Sequence, residues 1–130
     1  MAGPMILIVE DNERNLKLLR DVLGLHNYRT VEARSAEEAL ECARAEPPQL
    51  VLMDIQLPRM DGFAALRELR ALPETAGVPV VAVTAFAKKK DRDRLLAAGF
   101  DGYVEKPIDT RELPAIVASY LAGHEIEARP

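Results

Sequence analysis

The sequence predicts an α/β domain: a five-stranded parallel sheet with helices on both faces. Short apolar runs rich in β-branched residues alternate along the chain with longer segments of helical periodicity, and turn residues mark the joints. Two of these runs end in acidic residues, Glu10-Asp11 and Asp54, which brings three carboxylates to one edge of the sheet. At 130 residues, with no internal repeat or low-complexity linker, the chain fits one domain.

The first strand, 5–9 (MILIV), leads into Glu10 and Asp11. A helix follows over about 13–25, with Leu16, Leu19, Val22 and Leu23 on one stripe and Asn27 suited to the left-handed C′ position. The second strand is 28–31. Ser35 and Glu38 form a capping box: the hydroxyl accepts from the N–H three residues on, and Glu38 reaches back to the cap. That helix ends at Pro47-Pro48. Residues 50–53 (LVLM) are the third strand, followed by a loop over 55–61 that contains Pro58, then a helix over about 62–71 that stops near Pro73. The fourth strand is 78–83 (VPVVAV), with Pro79 at its start, where a missing N–H is tolerated. The fourth helix, about 88–98, closes at Gly99, a natural C′ glycine. A short strand covers 102–104. Asp109 and Glu112 have the spacing of a second capping box, but Pro114 lacks an N–H, so the start of the last helix stays open between 109 and 112. The domain is 1–122; residues 123–130 lack apolar periodicity and are expected to fray.

Charged residues make up 29% of the chain and the net charge is -4, which argues against a nucleic-acid partner. The one basic cluster, Lys88 to Lys90 with Arg92 and Arg94, is diluted by Asp91 and Asp93 and reads as solvated helix surface. Cys42, among Ala39, Leu40 and Ala43, reads as a buried thiol. The N-terminus has no charged n-region and its apolar run ends at an acidic pair, so it is neither signal peptide nor membrane anchor, and the expected location is cytoplasmic. The chain is too small for a receptor plus an output module, so any output must come from binding.

In an open α/β sheet, ligands bind beyond the carboxyl ends of the strands. The polar residues there are Glu10, Asp11, Asp54, Thr84 and Lys106. Clustered carboxylates repel and are costly to desolvate unless a cation sits between them, and hard oxygen ligands suit magnesium better than zinc. Together these residues divide the work of phosphoryl transfer. Asp54, alone at the end of the most apolar central strand, attacks phosphorus; Glu10 and Asp11 hold Mg2+ with it; Thr84 and Lys106 bind the equatorial oxygens. Each has a plainer reading: an acidic pair at a helix start, a strand-end hydroxyl, a surface lysine. His26 and His124 lack the setting of a phosphate-donating histidine.

The stretches ILIVEDN, LVLMDIQLPRMDG, PVVAVTAFA and DGYVEKPID, spanning almost the whole chain, resemble the receiver domain of bacterial two-component response regulators. The resemblance implies the flavodoxin-like (βα)5 fold with strand order 2-1-3-4-5. It assigns the metal-binding pair to Glu10 and Asp11, the phosphoacceptor to Asp54 and a backbone carbonyl ligand to Gln56. The switch hydroxyl falls on Thr84 with Ala85 beside it, the switch aromatic on Tyr103, the lysine on Lys106, and a cis bond before Pro107. The plain alternative for Tyr103 is a packing aromatic. Gln56 and Phe86 flank the acceptor, one placed to orient water and the other to shield an acyl phosphate, and so are expected to tune its lifetime.

The resemblance also implies Mg2+, with Mn2+ as a substitute, and a phosphohistidine donor on a sensor histidine kinase or histidine phosphotransfer protein. The wording of VEDNERNLKL, MDIQLP and VTAFA is most similar to short regulators of the DivK type, which act on kinases or adaptors. The expected output surface is the face made by the fourth and fifth helices and the fifth strand, on a monomer or weak dimer. The exposed side of the first helix near Asn15 and the loop at Pro107-Ile108 are expected recognition surfaces. The expected role is therefore a phosphoacceptor and signalling switch, not an enzyme. Met1 and the ragged tail favour a complete short chain over a receiver excised from a hybrid kinase. A phosphohydrolase of the haloacid dehalogenase type is the competing class, but it needs a second acid two residues after the nucleophile, where this chain has Gln56.

Overall fold

A computed structural model of the chain describes residues 3–57, 61–85 and 88–126; Pro58 and Phe86 lie outside the described residues. Five strands, β1 (Met5–Val9), β2 (Arg29–Ala33), β3 (Leu50–Asp54), β4 (Val80–Thr84) and β5 (Gly102–Glu105), alternate with five helices. The helices are α1 (Glu13–Leu25), α2 (Ala36–Ala45), α3 (Gly62–Ala71), α4 (Lys89–Ala98) and α5 (Leu113–Ile126). All strand pairs are parallel and the order is β2-β1-β3-β4-β5, so the chain reverses direction across the sheet between β1 and β3.

The central strands are buried along their whole length and divide their side chains by the two-residue period. Leu7, Val9, Val51, Met53, Val80 and Ala82 meet Ala39, Leu40, Leu66, Leu69 and Leu95 of α2, α3 and α4. On the other face, Ile6, Ile8, Leu50, Leu52, Val81 and Val83 meet Leu16, Leu19 and Leu23 of α1 and Leu113 and Val117 of α5.

Several boundaries differ from the sequence expectation for identifiable reasons. β2 is shifted to Arg29–Ala33 because β1 pairs with it from Met5↔Arg29 to Val9↔Ala33; Tyr28 instead packs against the α1–α5 side of the core. β4 starts at Val80, after Pro79, and reaches Thr84, which pairs with Glu105. The start of α5 resolves at Leu113: Asp109 accepts from the Arg111 N–H through its side chain and from the Glu112 and Leu113 N–H groups through its carbonyl. Pro114 is then the second helical residue, where no N–H is needed. α5 extends to Ile126, past the expected boundary at 122. Glu38 reaches back one residue beyond the cap, accepting from the Arg34 N–H, while Ser35 Oγ accepts from the Glu38 N–H. Asn27 has φ 68 and Gly99 φ 112, the left-handed positions that end α1 and α4. Cys42 is half-buried rather than buried, and burial raises its pKa.

The edge of the sheet opposite the acidic residues is held by an arginine clamp. Arg70 donates to the carbonyls of Val78 (2.6 Å) and Gly99 (3.1 Å) and to Asp101 Oδ2 (2.8 Å), which also accepts from the Val80 N–H (2.8 Å). Arg70→Ala leaves three acceptors, the Val78 carbonyl among them partly buried, without their shared donor and is expected to cost about 1 kcal/mol, read as a lower urea midpoint. An unchanged midpoint would contradict the clamp.

Candidate functional site

The carboxyl ends of β1, β3, β4 and β5 converge on one cluster. Glu10 directly follows β1 and Asp54 is the last residue of β3; both are buried, at 1% and 4% exposure, whereas Asp11 is exposed. Each of the three offers a carboxylate oxygen within 4.8 Å of the others. Lys106, just past β5, places its Nζ 3.0 Å from Asp54 Oδ2 and 3.4 Å from Glu10 Oε1. Its backbone N–H donates to the Thr84 carbonyl (2.8 Å), tying it to the end of β4, and the Lys106–Pro107 peptide is cis as expected.

The main chain fixes both buried carboxylates. Asp54 Oδ1 accepts from the Gln56 N–H (2.9 Å), so its two oxygens have different partners and the plane of the group is set. Glu10 Oε2 accepts from the Asn12 N–H (3.1 Å), while Asn12 Oδ1 caps α1 through the Asn15 N–H (3.0 Å). The backbone donors to the two carboxylates were not anticipated from the sequence, although Asn immediately before a helical pattern is an N-cap signal that could have revealed the Asn12 cap of α1. Gly62 lets the chain after Asp54 fold back on α3. A Cβ there would lie 2.7 Å from Ile55 Cα and 3.1 Å from the Asp54 carbonyl, and the Gly62 N–H donates to the Ile55 carbonyl (3.1 Å).

The electrostatics follow from burial. Glu10 is pushed up to about 7, first by desolvation and then by the charge of Asp54. Burial works against the Lys106 ammonium, but its bond to Asp54 and the charges of Asp54 and Glu10 outweigh it, and its pKa lies above the ordinary value. Glu10 Oε1 is buried and, among the described residues, accepts no hydrogen bond; the Lys106 ammonium lies 3.4 Å from it. An oxygen-only donor set with one under-used buried oxygen fits a hard divalent cation.

Thr84 is buried at the end of β4 and Ala85 beside it is exposed. Tyr103 on β5 is half-buried; its ring packs against the α2–α4 side of the core and its hydroxyl accepts from Arg92 Nη1 at 3.1 Å. Gln56 presents an exposed side chain next to Asp54. The structure thus brings Glu10, Asp11, Asp54 and Lys106 into one cluster, with Thr84 at the end of the neighbouring strand. Tyr103 sits on β5 two residues before Glu105, the strand's last residue, tied to α4.

Residues 6–118 match the response regulator receiver domain as a sequence family. The chain belongs to that family. Among curated relatives of this receiver, the polar-differentiation response regulator DivK of Brucella ovis is 44% identical over 116 residues, spanning 89% of this chain and 94% of the relative. Among solved structures, the receiver domain of sensor histidine kinase PA1611 from Pseudomonas aeruginosa PAO1, described with a magnesium ion coordinated in its active site cleft, is 36% identical. It superposes with a TM-score of 0.85 over 93% of this chain and 99% of that one. A CheY-like receiver domain protein from Methanospirillum hungatei JF-1 is 31% identical, with a TM-score of 0.85 over 97% and 99% of the two chains. The receiver fold, its strand order and its place in two-component signalling are therefore established for this chain, and it is DivK-like in sequence. None of the described helices is long and apolar enough to cross a membrane.

Proposed function

We propose that this receiver is a phosphoacceptor switch in a phosphorelay, taking a phosphoryl group on Asp54 from a phosphohistidine of a sensor histidine kinase or histidine phosphotransfer protein. The observation that carries this reading is Lys106 Nζ, set 3.0 Å from Asp54 and 3.4 Å from Glu10 above a cluster of three carboxylates. A carboxylate oxygen of Asp54 attacks phosphorus, the O–P bond forms as the N–P bond breaks, and the leaving imidazole keeps the N–P electron pair and takes a proton from solvent. Lys106 neutralises charge on the transferred oxygens, and in this reading the hydroxyl of Thr84, at the end of the adjacent strand, bonds one of them. Glu10, Asp11, Asp54 and the Gln56 carbonyl would hold Mg2+, or Mn2+ in its place. The under-used Glu10 oxygen and the magnesium named for the PA1611 receiver support that set. When bound, the cation supplies further neutralisation of the phosphoryl oxygens. Mass spectrometry of the intact protein with a small phosphoramidate donor tests the reading: one phosphoryl group, gained only with Mg2+, is expected, and uptake indifferent to Mg2+ would contradict it.

Glu10 gives this site a pH dependence. Its carboxyl is harder to ionise in the folded chain than in the unfolded one, so the metal-free fold is favoured with Glu10 protonated. That contribution is lost as pH rises from the ordinary carboxyl value of 4.5 through about 7. The cation needs the ionised form, so Mg2+ affinity should be about ten-fold weaker near pH 6 than near pH 8, as read by calorimetric titration. A flat affinity across that range would contradict the assignment.

Phosphorylation adds about -1.5 to -2 charges beside Thr84 and Lys106. In this reading Thr84 moves toward the phosphoryl group, Tyr103 fills the space it leaves, and the face formed by α4, β5 and α5 changes its affinity for a kinase or adaptor target. Thr84→Ala should keep phosphorylation while weakening the switch; full partner binding by the phosphorylated variant would rule out this role. The reading places the protein in the cytoplasm, as a monomer or weak dimer, acting as a switch and not as an enzyme on external substrates. The second reading, a receiver that serves within a larger kinase, draws support from its 36% identity to the PA1611 receiver. A phosphohydrolase is disfavoured because Gln56, an exposed amide, stands where such enzymes need an acid.

A further inference from the structure

We propose that Arg92 is a latch that holds α4 and the Tyr103 ring in their resting arrangement: a positioning residue of the switch, not part of a solvated basic surface. Its consequence for signalling rests on the phosphoacceptor reading above; the contact itself does not.

α4 is the most weakly anchored of the first four helices. α1, α2 and α3 each begin with a side-chain cap, from Asn12, Ser35 and Asp61, whereas Lys88 at the start of α4 provides none. Lys88, Lys89 and Lys90 crowd the positive end of the helix dipole, offset in the first turn only by Asp91. α4 buries a single side chain, Leu95, where α1 and α3 bury three each and α2 four. A cavity of about 50 Å³ lies between α4 and the start of α3, lined by Ile55, Phe63, Asp91, Arg94 and Leu95. Packing therefore holds this helix loosely.

Two arginines compensate, one to each side. Arg94 sets its guanidinium 4.7 Å from the centre of the Phe63 ring on α3. Arg92 donates to the Tyr103 hydroxyl at 3.1 Å and lies 5.8 Å from the centre of the same ring, which joins α4 to β5. A ring held by its hydroxyl cannot turn inward without giving up a charge-assisted hydrogen bond. Arg92 thus couples the position of Tyr103 to the docking of α4, and releasing one releases the other.

Hydrogen exchange and the NMR signals of the Tyr103 ring, both measured on unphosphorylated protein, test the latch. In Arg92→Ala, the amides of α4 should exchange about three- to ten-fold faster, while those of α1 and α5 are unchanged. The Tyr103 signals should move toward those of the phosphorylated wild type. Tyr103→Phe, which removes only the hydroxyl, should loosen α4 by a similar factor, and the double variant should add little to either. Unchanged α4 exchange in Arg92→Ala, equal acceleration in every helix, or simple additivity of the two substitutions would each overturn the proposal. If the Tyr103 signals do not move when the wild type is phosphorylated, the switch reading fails separately, and α4 exchange still decides the latch.

Discussion

Asp54→Asn takes up no phosphoryl group from a small phosphoramidate donor under conditions that load the wild type, a loss on the order of 10³-fold or more. The carboxamide keeps an oxygen that can accept from the Gln56 N–H, which holds Oδ1 at 2.9 Å, so the loop after β3 retains its main anchor. It loses the anionic oxygen that faces Lys106 at 3.0 Å, and with it the nucleophile. The buried like-charge contact with Glu10 also disappears, so the variant should fold at least as well as the wild type without metal and bind Mg2+ more weakly. Urea unfolding separates this chemical loss from misfolding. Residual uptake at the wild-type rate would mean that another residue is the acceptor.

Lys106→Ala has the largest expected effect on stability, about 3 kcal/mol for the metal-free protein near pH 8. The ammonium is the cation shared by Glu10 and Asp54, which are 1% and 4% exposed. Without it, the two carboxyl groups face each other away from water with no cation between them. The loss should shrink near pH 5, where Glu10, already raised to about 7 by burial and by Asp54, carries a proton and the repulsion is relieved. Saturating Mg2+ should restore much of it at high pH, because the cation takes over the neutralising role. Urea midpoints at the two pH values, with and without Mg2+, give the comparison. A loss independent of both pH and Mg2+ would show that Lys106 acts through packing alone.

Much of this was legible in the sequence, because the determining signals are local. The apolar runs around Ile6–Ile8, Val51–Met53 and Val81–Val83 are buried strands, and the residues that end them are placed by the pleat alone. Glu10, Asp11 and Asp54 could therefore be assigned to one edge once a parallel sheet was predicted. The less legible features depend on contacts distant in sequence. β2 was misplaced because Tyr28 looks like a strand residue in isolation, and only pairing with Met5–Val9 sets its register. The Arg70–Asp101 clamp joins residues 31 apart and leaves no local pattern. Arg92 was hidden for the same reason: beside three lysines it reads as solvated charge, and its partner Tyr103 belongs to another element. The backbone donors to Asp54 and Glu10, from Gln56 and Asn12, depend on loop geometry that side-chain patterns do not encode.

The central claim is that the phosphoryl group resides on Asp54 as an acyl phosphate. Borohydride reduction of the phosphorylated protein followed by peptide mapping tests it most directly, since an acyl phosphate is reduced to an alcohol while a free carboxylate is not. A single reduced residue at position 54, formed only when donor and Mg2+ are both present, is the predicted result. Reduction at another carboxylate, or a phosphoryl group that resists borohydride and maps to a histidine, would contradict the account.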